Sequence, residues 1–491
     1  MSDAAPAPHP TESSPRTGLF ALWIVILIGI GVRAFFMAQP MRLDEAYTFL
    51  YYLNDGRNLF LYNVPNNHVF HTLLAKLAVL IGGMSPVILR LPAFVAGVLC
   101  IPAVFFVARR FNPKAGLLAA LGMALVPYMI LYSTMARGYS LIVLFTLLVI
   151  LAIQRYLENP TLKHATLIAL FSALGLFTIP TMMFPLAGLY LWLTLTLLIK
   201  SRNILALLRQ LLPMLTLTAL LTVIFYIPVL IVNNGPSTLF SNPYVNARPW
   251  KDFLAHIAPH LNQIIGDFFR DVPSAAKYFG FLLAGIGAWA AVRRREWAGA
   301  LLIPCILLGG LVIFFAKQAI PFVRTWIYLI PFYLLFADLG YSALTEKLSP
   351  TLARTVTTLM LVAGLIYVGN LASSNVIEHY ADTGSFPEAQ TVALYMKPLL
   401  TGNEFTAVMD TANFPLYYYL CAENAPTQKP TLDPKTVRRY FVVQKSWYKL
   451  SDLTKQPAKL IFEYGDAAVY TSVSPNERIW PGFVFACRAA H

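Results

Sequence analysis

Charged residues are scarce in this sequence of 491 residues: Lys, Arg, Asp and Glu together make up 12% of it. Soluble domains contain about 25% charged residues, so the composition excludes an ordinary soluble protein. The mean hydropathy is +0.62, and several nearly uncharged stretches reach about 18 residues or more. Stretches of that length cross ~30 Å of hydrocarbon, which predicts a polytopic membrane protein.

Cysteine is also scarce, with four residues in the chain. No Cys-x-x-Cys or paired Cys/His spacing is present, so no recognised metal motif supports a metalloprotein. A Gly-rich phosphate loop of the nucleotide-binding type is missing as well. Cys100 and Cys305 fall in apolar segments, whereas Cys421 and Cys487 fall in the polar C-terminal part. The latter two are candidates for a disulfide if that part lies in an oxidising compartment.

Negative charge is rare in the first 372 residues, which contain 26 Lys and Arg against 12 Asp and Glu. Residues 373–491 contain 11 of each, so the net charge of +14 belongs to the hydrophobic part. This distribution indicates positive-inside anchoring and contact with anionic membrane lipids, with no nucleic-acid partner. Residues 1–17, rich in Ala, Pro and Ser, are predicted to form a disordered cytoplasmic N-terminus.

Apolar segments predict about eleven membrane-spanning helices. These are residues 18–38, 91–108, 115–133, 139–157, 165–180, 182–199, 205–232, 278–292, 298–316, 323–341 and 354–372. The short apolar segment 69–83 contains His71 and Lys76 and is predicted to be a juxtamembrane helix. With that choice, loops on the N-terminal side hold 13 Lys and Arg in 41 residues, against 11 in 109 on the other side. Counting it as a span would put Arg293 to Arg295 outside, against the positive-inside rule.

The predicted topology divides the chain into a transmembrane domain, residues 18–372, and a tail, residues 373–491. The tail and two long loops, residues 40–90 and 233–277, lie on the outer face. We predict that the tail is a small extracytoplasmic α/β domain. Its expected elements are a helix over 387–399, strands over 404–410 and 438–444, and a hairpin over 458–473 that turns at Gly465 and Asp466.

Two adjacent carboxylates, Asp44 and Glu45, directly follow the first predicted span. The membrane boundary limits solvation there, and a partly desolvated carboxylate can serve as a general base. Adjacent residues of a helix do not share a face, so at most one of the pair points into a site and the other binds a neighbour or a metal ion. The alternative is a helix N-terminus whose dipole favours acidic residues.

Other polar residues gather in the predicted outer loops. Guanidinium groups at helix ends bind phosphate, although arginines there also snorkel to lipid headgroups. The candidates for phosphate binding are Arg137, Arg324 and Lys317, and those for substrate binding are Asn67, His68 and Tyr139.

Several short motifs resemble those of GT-C glycosyltransferases in order and spacing. They are Asp44-Glu45, Asn67-His68, Leu89-Arg90-Leu91-Pro92-Ala93 leading into a span that ends Ala108-Arg109-Arg110, and Ala136-Arg137-Gly138-Tyr139-Ser140. The most similar branch contains bacterial protein O-mannosyltransferase-like, aminoarabinose transferase-like and rhizobial galacturonosyltransferase-like enzymes. The resemblance covers residues 18–200 well, the remaining spans more weakly and the tail by position alone. Val69 replaces the proline that usually follows the histidine.

The resemblance implies an enzyme of the bacterial inner membrane that transfers a hexose or pentose from a polyprenyl-phosphate donor. The acceptor is a glycan, lipid or protein on the outer face. Asp44 matches the catalytic carboxylate of the family, and Glu45 is adjacent to it. The sequence leaves open whether Asp44, Glu45 and His68 hold a divalent cation. Phosphate leaves without a strong general acid, so an inverting transfer needs one base and cations for the phosphate.

A transporter or flippase of lipid-linked sugars is the alternative function, since it has similar hydropathy and would also bind phosphate through arginines. Transporters place ionisable groups near mid-membrane and contain paired repeats. Here only Arg33 and Asp338 lie inside the margins of the predicted spans. A membrane O-acyltransferase would need a histidine in a span core, and no predicted span has one. These comparisons favour the glycosyltransferase.

Overall fold

The computed structural model describes residues 15–54, 56–62, 65–240, 245–294, 297–380, 382, 384–400, 405–408, 410–425, 439–455 and 457–472. Most of this part of the chain is α-helical. The helices, α1 to α19 in chain order, are Pro15–Phe36, Leu43–Thr48, Val69–Gly82, Pro86–Phe111, Leu117–Leu125, Pro127–Ser133, Tyr139–Glu158, Leu162–Thr178, Met183–Ser201, Ile204–Val232, Ser237–Phe240, Trp250–Phe268, Ser274–Arg293, Trp297–Lys317, Leu329–Thr345, Pro350–Ser374, Ala389–Met396, Asp410–Ala422 and Leu450–Leu453.

Eight helices in the described residues are long and apolar enough to cross a membrane, namely α1, α4, α7, α9, α10, α13, α14 and α16. Three shorter apolar helices, α3, α8 and α15, accompany them. Every predicted span coincides with one helix or with a pair of helices, so the apolar pattern located the helices correctly. The number of spans itself stays a prediction. Helix α1 begins at Pro15, within the N-terminal segment predicted to be disordered, and residues 1–14 lie outside the described residues.

The predicted span 115–133 is not one continuous helix. It divides into α5 and α6 at Val126, whose backbone is extended (φ −61°, ψ 120°). Pro127 is the first residue of α6, and proline both lacks an N–H and disfavours helical geometry in the residue before it. The expectation of an unbroken helix was therefore wrong, and the reason is visible in the sequence.

The two ionic side chains predicted inside spans stabilise opposite ends of α5. Asp338 of α15 accepts hydrogen bonds from the backbone N–H groups of Gly116 and, at 3.3 Å, Leu118. Arg33 of α1 donates to the carbonyl oxygens of Met123 at 2.9 Å and Ala124 at 3.0 Å. A carboxylate at the N-terminus and a guanidinium at the C-terminus complement the helix dipole and satisfy its terminal backbone groups.

The C-terminal part contains a four-stranded sheet among its described residues. Its strands, β1 to β4, are Phe405–Val408, Arg439–Gln444, Lys459–Tyr464 and Ala467–Ser472, in the order β1-β2-β4-β3. Strands β1 and β2 are parallel, and the other pairs are antiparallel. Strands β3 and β4 form the predicted hairpin, and Gly465 at its turn has a positive φ of 55° that glycine adopts without strain. The predicted strand near 438–444 and the helix near 387–399 are confirmed by β2 and α17.

Helix α18 is an element that the sequence analysis missed, and it packs on the segment after α1. The Tyr419 hydroxyl accepts a hydrogen bond from the backbone N–H of Met41 at 3.0 Å. The ring of Tyr418 lies edge-on to Phe49, with the centroids 5.1 Å apart. The tail thereby supports the short helix α2, which carries Asp44.

The cysteines agree in part with the sequence analysis. Cys421 is disulfide-bonded, and Cys100 and Cys305 are free and buried. Cys487, the partner proposed for Cys421, lies outside the described residues. The pairing of Cys421 with Cys487 therefore stays a prediction.

Candidate active site

The predicted site residues other than Lys317 converge at one end of the helical bundle. Helix α2 follows α1 after a short turn and continues into a π-helical turn, Phe49–Leu53. The loop between α6 and α7, residues 134–138, and the segment before α15 reach the same end through contacts described below. Irregular helical turns of this kind are frequent at functional sites.

Asp44 faces a cation and retains an oxygen without a hydrogen bond. Its Oδ2 lies 3.4 Å from Nη2 of Arg324, and within the described structure this oxygen has no hydrogen-bond partner. Asp44 is 8% exposed, so the Asp44–Arg324 pair is largely but not completely buried. This is the arrangement expected for the member of the acidic pair that points into a site.

Both carboxylate oxygens of Glu45 accept hydrogen bonds from other groups of the protein. It forms a buried ion pair with Arg90, which also donates from Nε at 3.0 Å, and it accepts the backbone N–H of Ala136 at 2.8 Å. Its other oxygen accepts the backbone N–H of Arg42 at 2.9 Å, as in a capping box. Glu45 thus joins α2 to α4 and to the 134–138 loop, an arrangement that argues against its predicted catalytic or metal-binding use.

Arg137 is buried, and its terminal nitrogens are taken by the first loop. Nη1 donates to Thr48 Oγ1 at 2.7 Å, to the carbonyl of Asn66 at 2.8 Å and to that of Asp44 at 3.3 Å. Nη2 lies 2.9 Å from His68 Nε2. These partners take both terminal nitrogens of the buried guanidinium and leave only Nε without one, which argues against the predicted phosphate contact. Arg137 instead holds the backbone on which Asp44 is placed.

His68 precedes α3 and is held by the 134–138 loop. Its Nδ1 accepts the backbone N–H of Gly138 at 2.8 Å, and its ring lies edge-on to Tyr139 at 4.9 Å. Burial first, and then the Arg137 charge, lowers the pKa of His68 well below its ordinary value. The imidazole is therefore neutral at physiological pH, and since its Nδ1 accepts from Gly138, its proton lies on Nε2. The predicted substrate contact of His68 stays a prediction.

Asn67, predicted to bind substrate, is buried and has only intramolecular partners among the described residues. Its amide nitrogen donates to the carbonyls of Leu59 at 3.0 Å and Leu61 at 2.9 Å. Its amide oxygen accepts from Thr72 Oγ1 at 2.8 Å. Asn67 thus closes the loop that leads into α3.

Arg324 is the predicted phosphate ligand whose position fits that role best. Its Nε donates to the hydroxyl of Tyr139 at 2.9 Å, and its Nη1 donates to the carbonyl of Asp382 at 3.1 Å. The guanidinium also lies over the ring of Phe322, 4.2 Å from its centroid. Apart from Asp44 these partners are neutral. Lys317, at the end of α14 and seven positions earlier in the chain, is exposed to solvent.

Arg42 is a site residue that the sequence analysis did not assign. Its guanidinium is buried and donates to the carbonyls of Tyr380, of Ile377 at 2.5 Å and of Glu378 at 3.0 Å. Burial lowers the pKa of Arg42 to about 10. The backbone N–H of Leu43 donates to Gly384 O at 3.1 Å, so the segment after α16 is fixed against the start of α2.

Asp382 lies in that segment and was also missed. Its Oδ2 is buried without a hydrogen-bond partner in the described part of the chain. Burial first, and then the neighbouring Asp267 charge, raises the pKa of Asp382 above its ordinary value. No motif marked it, because it is a single acid in a polar segment that follows the last predicted span.

The described residues contain no group of three His, Cys, Asp or Glu side chains placed to hold a metal ion. Asp44, Glu45 and His68, the ligand set left open by the sequence, are directed at different partners: Arg324, Arg90 and Gly138. These three residues do not fit a common cation, and no step is derived through one.

Comparison with known proteins gives one family model and several structures. The model, described as dolichyl-phosphate-mannose-protein mannosyltransferase, matches residues 67–232. ArnT from Cupriavidus metallidurans in the apo state has 15% identity and a TM-score of 0.59, covering 94% of this chain and 100% of ArnT. The structure of ArnT bound to undecaprenyl phosphate has 14% identity and a TM-score of 0.58, covering 95% and 100%.

The Archaeoglobus fulgidus oligosaccharyltransferase in the apo form has 12% identity and a TM-score of 0.56, covering 89% of this chain and 70% of that protein. A search of curated protein sequences finds no significant match. At these identities the structural likeness shows a shared fold, and the family model adds an independent match over the region that contains Asn67, His68 and Arg137. Together they confirm the predicted resemblance to the GT-C membrane glycosyltransferases.

Proposed function

We propose that this protein transfers a hexose or pentose from a polyprenyl-phosphate donor to an acceptor on the outer face of the bacterial inner membrane, with inversion at the sugar carbon. The observation that carries the proposal is the pairing of Asp44 with Arg324 at one end of a bundle with the GT-C fold. The undecaprenyl phosphate in the ArnT structure supports a polyprenyl-phosphate donor. The acceptor is a glycan, lipid or protein.

Arg324 binds the donor phosphate. Two of its nitrogens donate to neutral partners, the Tyr139 hydroxyl and the Asp382 carbonyl. A phosphate competes well with such partners, because it carries the opposite charge and can bind the guanidinium through two parallel hydrogen bonds. The predicted phosphate contact of the exposed Lys317 is kept as part of the proposal. Charge that develops on the leaving phosphate is thereby stabilised.

Asp44 is the general base. Its carboxylate takes the proton of the acceptor hydroxyl while the acceptor oxygen bonds to the anomeric carbon of the sugar. The bond from that carbon to the phosphate oxygen breaks at the same time, and polyprenyl phosphate leaves with the electron pair. Attack on the face opposite the phosphate inverts the configuration, and one carboxylate suffices for this displacement.

The remaining predicted residues position this pair. The ion pair of Glu45 with Arg90 fixes α2 to α4, and Arg137 donates to the backbone carbonyl of Asp44. Buried, hydrogen-bonded groups of this kind keep a catalytic side chain within the narrow range of positions that proximity effects require. A substrate contact of Tyr139 is retained in the proposal, since its hydroxyl adjoins Arg324.

The alternative of a flippase loses support from the helix-capping roles of Arg33 and Asp338. Both side chains are buried and bonded to the ends of α5. The glycosyltransferase therefore explains more of the polar residues than transport does.

The outer-face assignment is tested by labelling single cysteines with a membrane-impermeant maleimide in intact cells. Cysteines at Lys76 and Lys459 should be labelled, and one at Arg293 should not. Labelling of Arg293→Cys without labelling of Lys459→Cys would reverse the topology and place the site in the cytoplasm.

Transfer itself is tested with purified protein in nanodiscs and radiolabelled undecaprenyl-phosphate sugars, with envelope glycans, lipids and proteins as acceptors. We expect label to appear in one acceptor fraction with release of undecaprenyl phosphate. Movement of the intact lipid-linked sugar across liposome membranes, with no transfer, would instead establish the flippase.

A further inference from the structure

Three polar atoms near Arg324 are buried without a hydrogen-bond partner within 3.5 Å among the described residues: Oδ2 of Asp382 and the hydroxyls of Tyr128 and Tyr132, which interact with each other at longer range. The two tyrosines are 1% and 0% exposed. Buried polar groups are nearly always paired, and the exceptions mark places where a ligand or water completes the bonding. The mechanism proposed above uses none of the three.

The three groups adjoin one another and the phosphate ligand. The ring centroids of Tyr128 and Tyr132 are 4.8 Å apart, and Tyr132 is 4.9 Å from Tyr139, whose hydroxyl is bonded to Arg324. Asp382 interacts electrostatically with both Tyr128 and Tyr132. A group attached to a phosphate at Arg324 would therefore lie within reach of all three.

The cations around Asp382 are committed to other partners. Arg42 donates to three backbone carbonyls, and Arg270 is paired with Asp267. Arg324 contacts the side chain of Asp44 but only the backbone carbonyl of Asp382. In the described residues no cation is hydrogen-bonded to the Asp382 carboxylate, although Arg270, Arg324 and Arg42 are its electrostatic neighbours, as is a second carboxylate, Asp267. The free oxygen can accept a hydrogen bond from a ligand, and it would repel a ligand carboxylate placed directly against it.

We infer that Asp382, Tyr128 and Tyr132 form the subsite for the donor sugar, binding its hydroxyl or amino groups and discriminating against uronic acids. The inference rests on the proposed function, since it places the sugar beside the phosphate at Arg324. A carboxylate accepts hydrogen bonds from sugar hydroxyls, and tyrosine hydroxyls both donate and accept. Sites that bond substrate hydroxyls with buried polar groups select strongly, because a wrong substrate leaves those groups unpaired.

The test measures binding by the full-length protein in nanodiscs. The three probes are undecaprenyl phosphate, its mannosyl ester and its galacturonosyl ester. The variants are Asp382→Asn and Tyr132→Phe, and Tyr328→Phe is the matched control. Tyr328 is also buried with an unpartnered hydroxyl in the described structure, and none of the contacts described above joins it to Arg324 or Asp382.

We expect the wild type to bind the mannosyl donor at least tenfold more tightly than the galacturonosyl donor. Asp382→Asn should weaken mannosyl-donor binding about tenfold and narrow the discrimination between the two sugars. Tyr132→Phe, which is nearly isosteric, should weaken it several-fold. Binding of bare undecaprenyl phosphate should not weaken in either variant, and the control should match the wild type with all probes.

Equal affinity of both variants and the wild type for the mannosyl donor would overturn the subsite while leaving the proposed function intact. A wild-type preference for the galacturonosyl donor would overturn it too. If the variants raised only the KM for the acceptor, the hydroxyls bound there would belong to the acceptor, and the donor assignment would be wrong. Failure of the wild type to bind even bare undecaprenyl phosphate would reject the proposed function and the subsite with it.

Discussion

Asp44 Oδ2 and Arg324 Nη2 lie 3.4 Å apart, close enough for electrostatic attraction but without a formed hydrogen bond. The arginine is further held by the Tyr139 hydroxyl and the Asp382 carbonyl, which fixes it beside the carboxylate. A base and a phosphate-binding cation are thus placed together before substrate arrives, and such preorganisation is the main source of electrostatic catalysis.

Replacing Arg324 should weaken donor binding while leaving the fold intact. Arg324→Ala removes a charged hydrogen bond to phosphate, which is worth roughly 1.5–3 kcal/mol and corresponds to about 10 to 150-fold in affinity. Arg324→Lys should recover only part of this, because an ammonium cannot reproduce the planar set of donors. Isothermal titration with undecaprenyl phosphate measures the change, with exposed Lys347→Ala as the control. Wild-type affinity in Arg324→Ala would remove Arg324 from the phosphate site.

Glu45→Gln should destabilise the protein, unlike a change at Asp44. Removing one partner of the buried pair leaves the Arg90 charge uncompensated, at a cost of about 3–5 kcal/mol. Thermal unfolding in detergent should therefore show a clear fall in Tm for Glu45→Gln and a small one for Asp44→Asn. A double replacement, Glu45→Leu with Arg90→Met, should recover much of the loss. A Glu45→Gln protein of wild-type stability would contradict the structural role.

Asp338 should contribute to stability through its bonds to the start of α5. Asp338→Asn replaces one accepting oxygen by an amide donor that faces backbone N–H groups, so we expect a loss of about 1–2 kcal/mol, as for a lost helix cap. Glu346 directly follows α15, the helix that contains Asp338. Glu346→Gln breaks the partly exposed ion pair with Arg294 and should cost less than about 1 kcal/mol. Thermal unfolding of the two variants compares them. Equal effects would mean that α5 does not depend on this carboxylate.

His71 should make the protein less stable at acid pH. Burial first, and then the Arg137 charge, lowers the pKa of His71 from its ordinary value of 6.5 to about 3. Between those values the unfolded chain binds a proton that the folded chain does not, so stability falls as pH falls, by about 1.4 kcal/mol per pH unit. The pKa of His68 is shifted in the same direction.

The substitution His71→Phe should make that dependence shallower, because both ring nitrogens of His71 lack partners in the described residues and no bond is lost. Unfolding midpoints at pH 7.5 and pH 5.0 are the measurement, with exposed His379→Phe as the control. If wild type and His71→Phe lose the same stability between these pH values, the buried histidine is not the cause.

The sequence predicts the helices and the acidic pair well, because both depend on local pattern. Apolar length locates the spans, and the rule that neighbouring helical residues face apart correctly predicts that Asp44 and Glu45 have different partners. Which of them faces the site depends on Arg90, which is 45 residues from Glu45, and no local pattern reports such a contact. The partners of Arg137 in α2 and in the segment before α3 lie 69 to 93 residues away in the sequence, so local pattern does not report them either.

Two features of the fold were not predicted from the local sequence pattern, for different reasons. The break between α5 and α6 has a local signal in Pro127, but the surrounding apolar run outweighs it. Helix α18 contains Tyr417, Tyr418 and Tyr419, which favour a strand by propensity. Packing against Met41 and Phe49 stabilises a helix instead, so tertiary contacts override the local preference.

Turnover by Asp44→Asn tests the central claim most directly. The substitution keeps the size of the side chain and removes its basicity. The measurement is single-turnover transfer from an undecaprenyl-phosphate sugar to acceptor by purified wild-type and variant protein in nanodiscs, with donor affinity measured on the same samples. We predict a rate lower by about 10² to 10⁴, the range for a lost general base, with donor affinity within a few-fold of the wild type. Equal rates for the two proteins would contradict the assignment of Asp44 as the base.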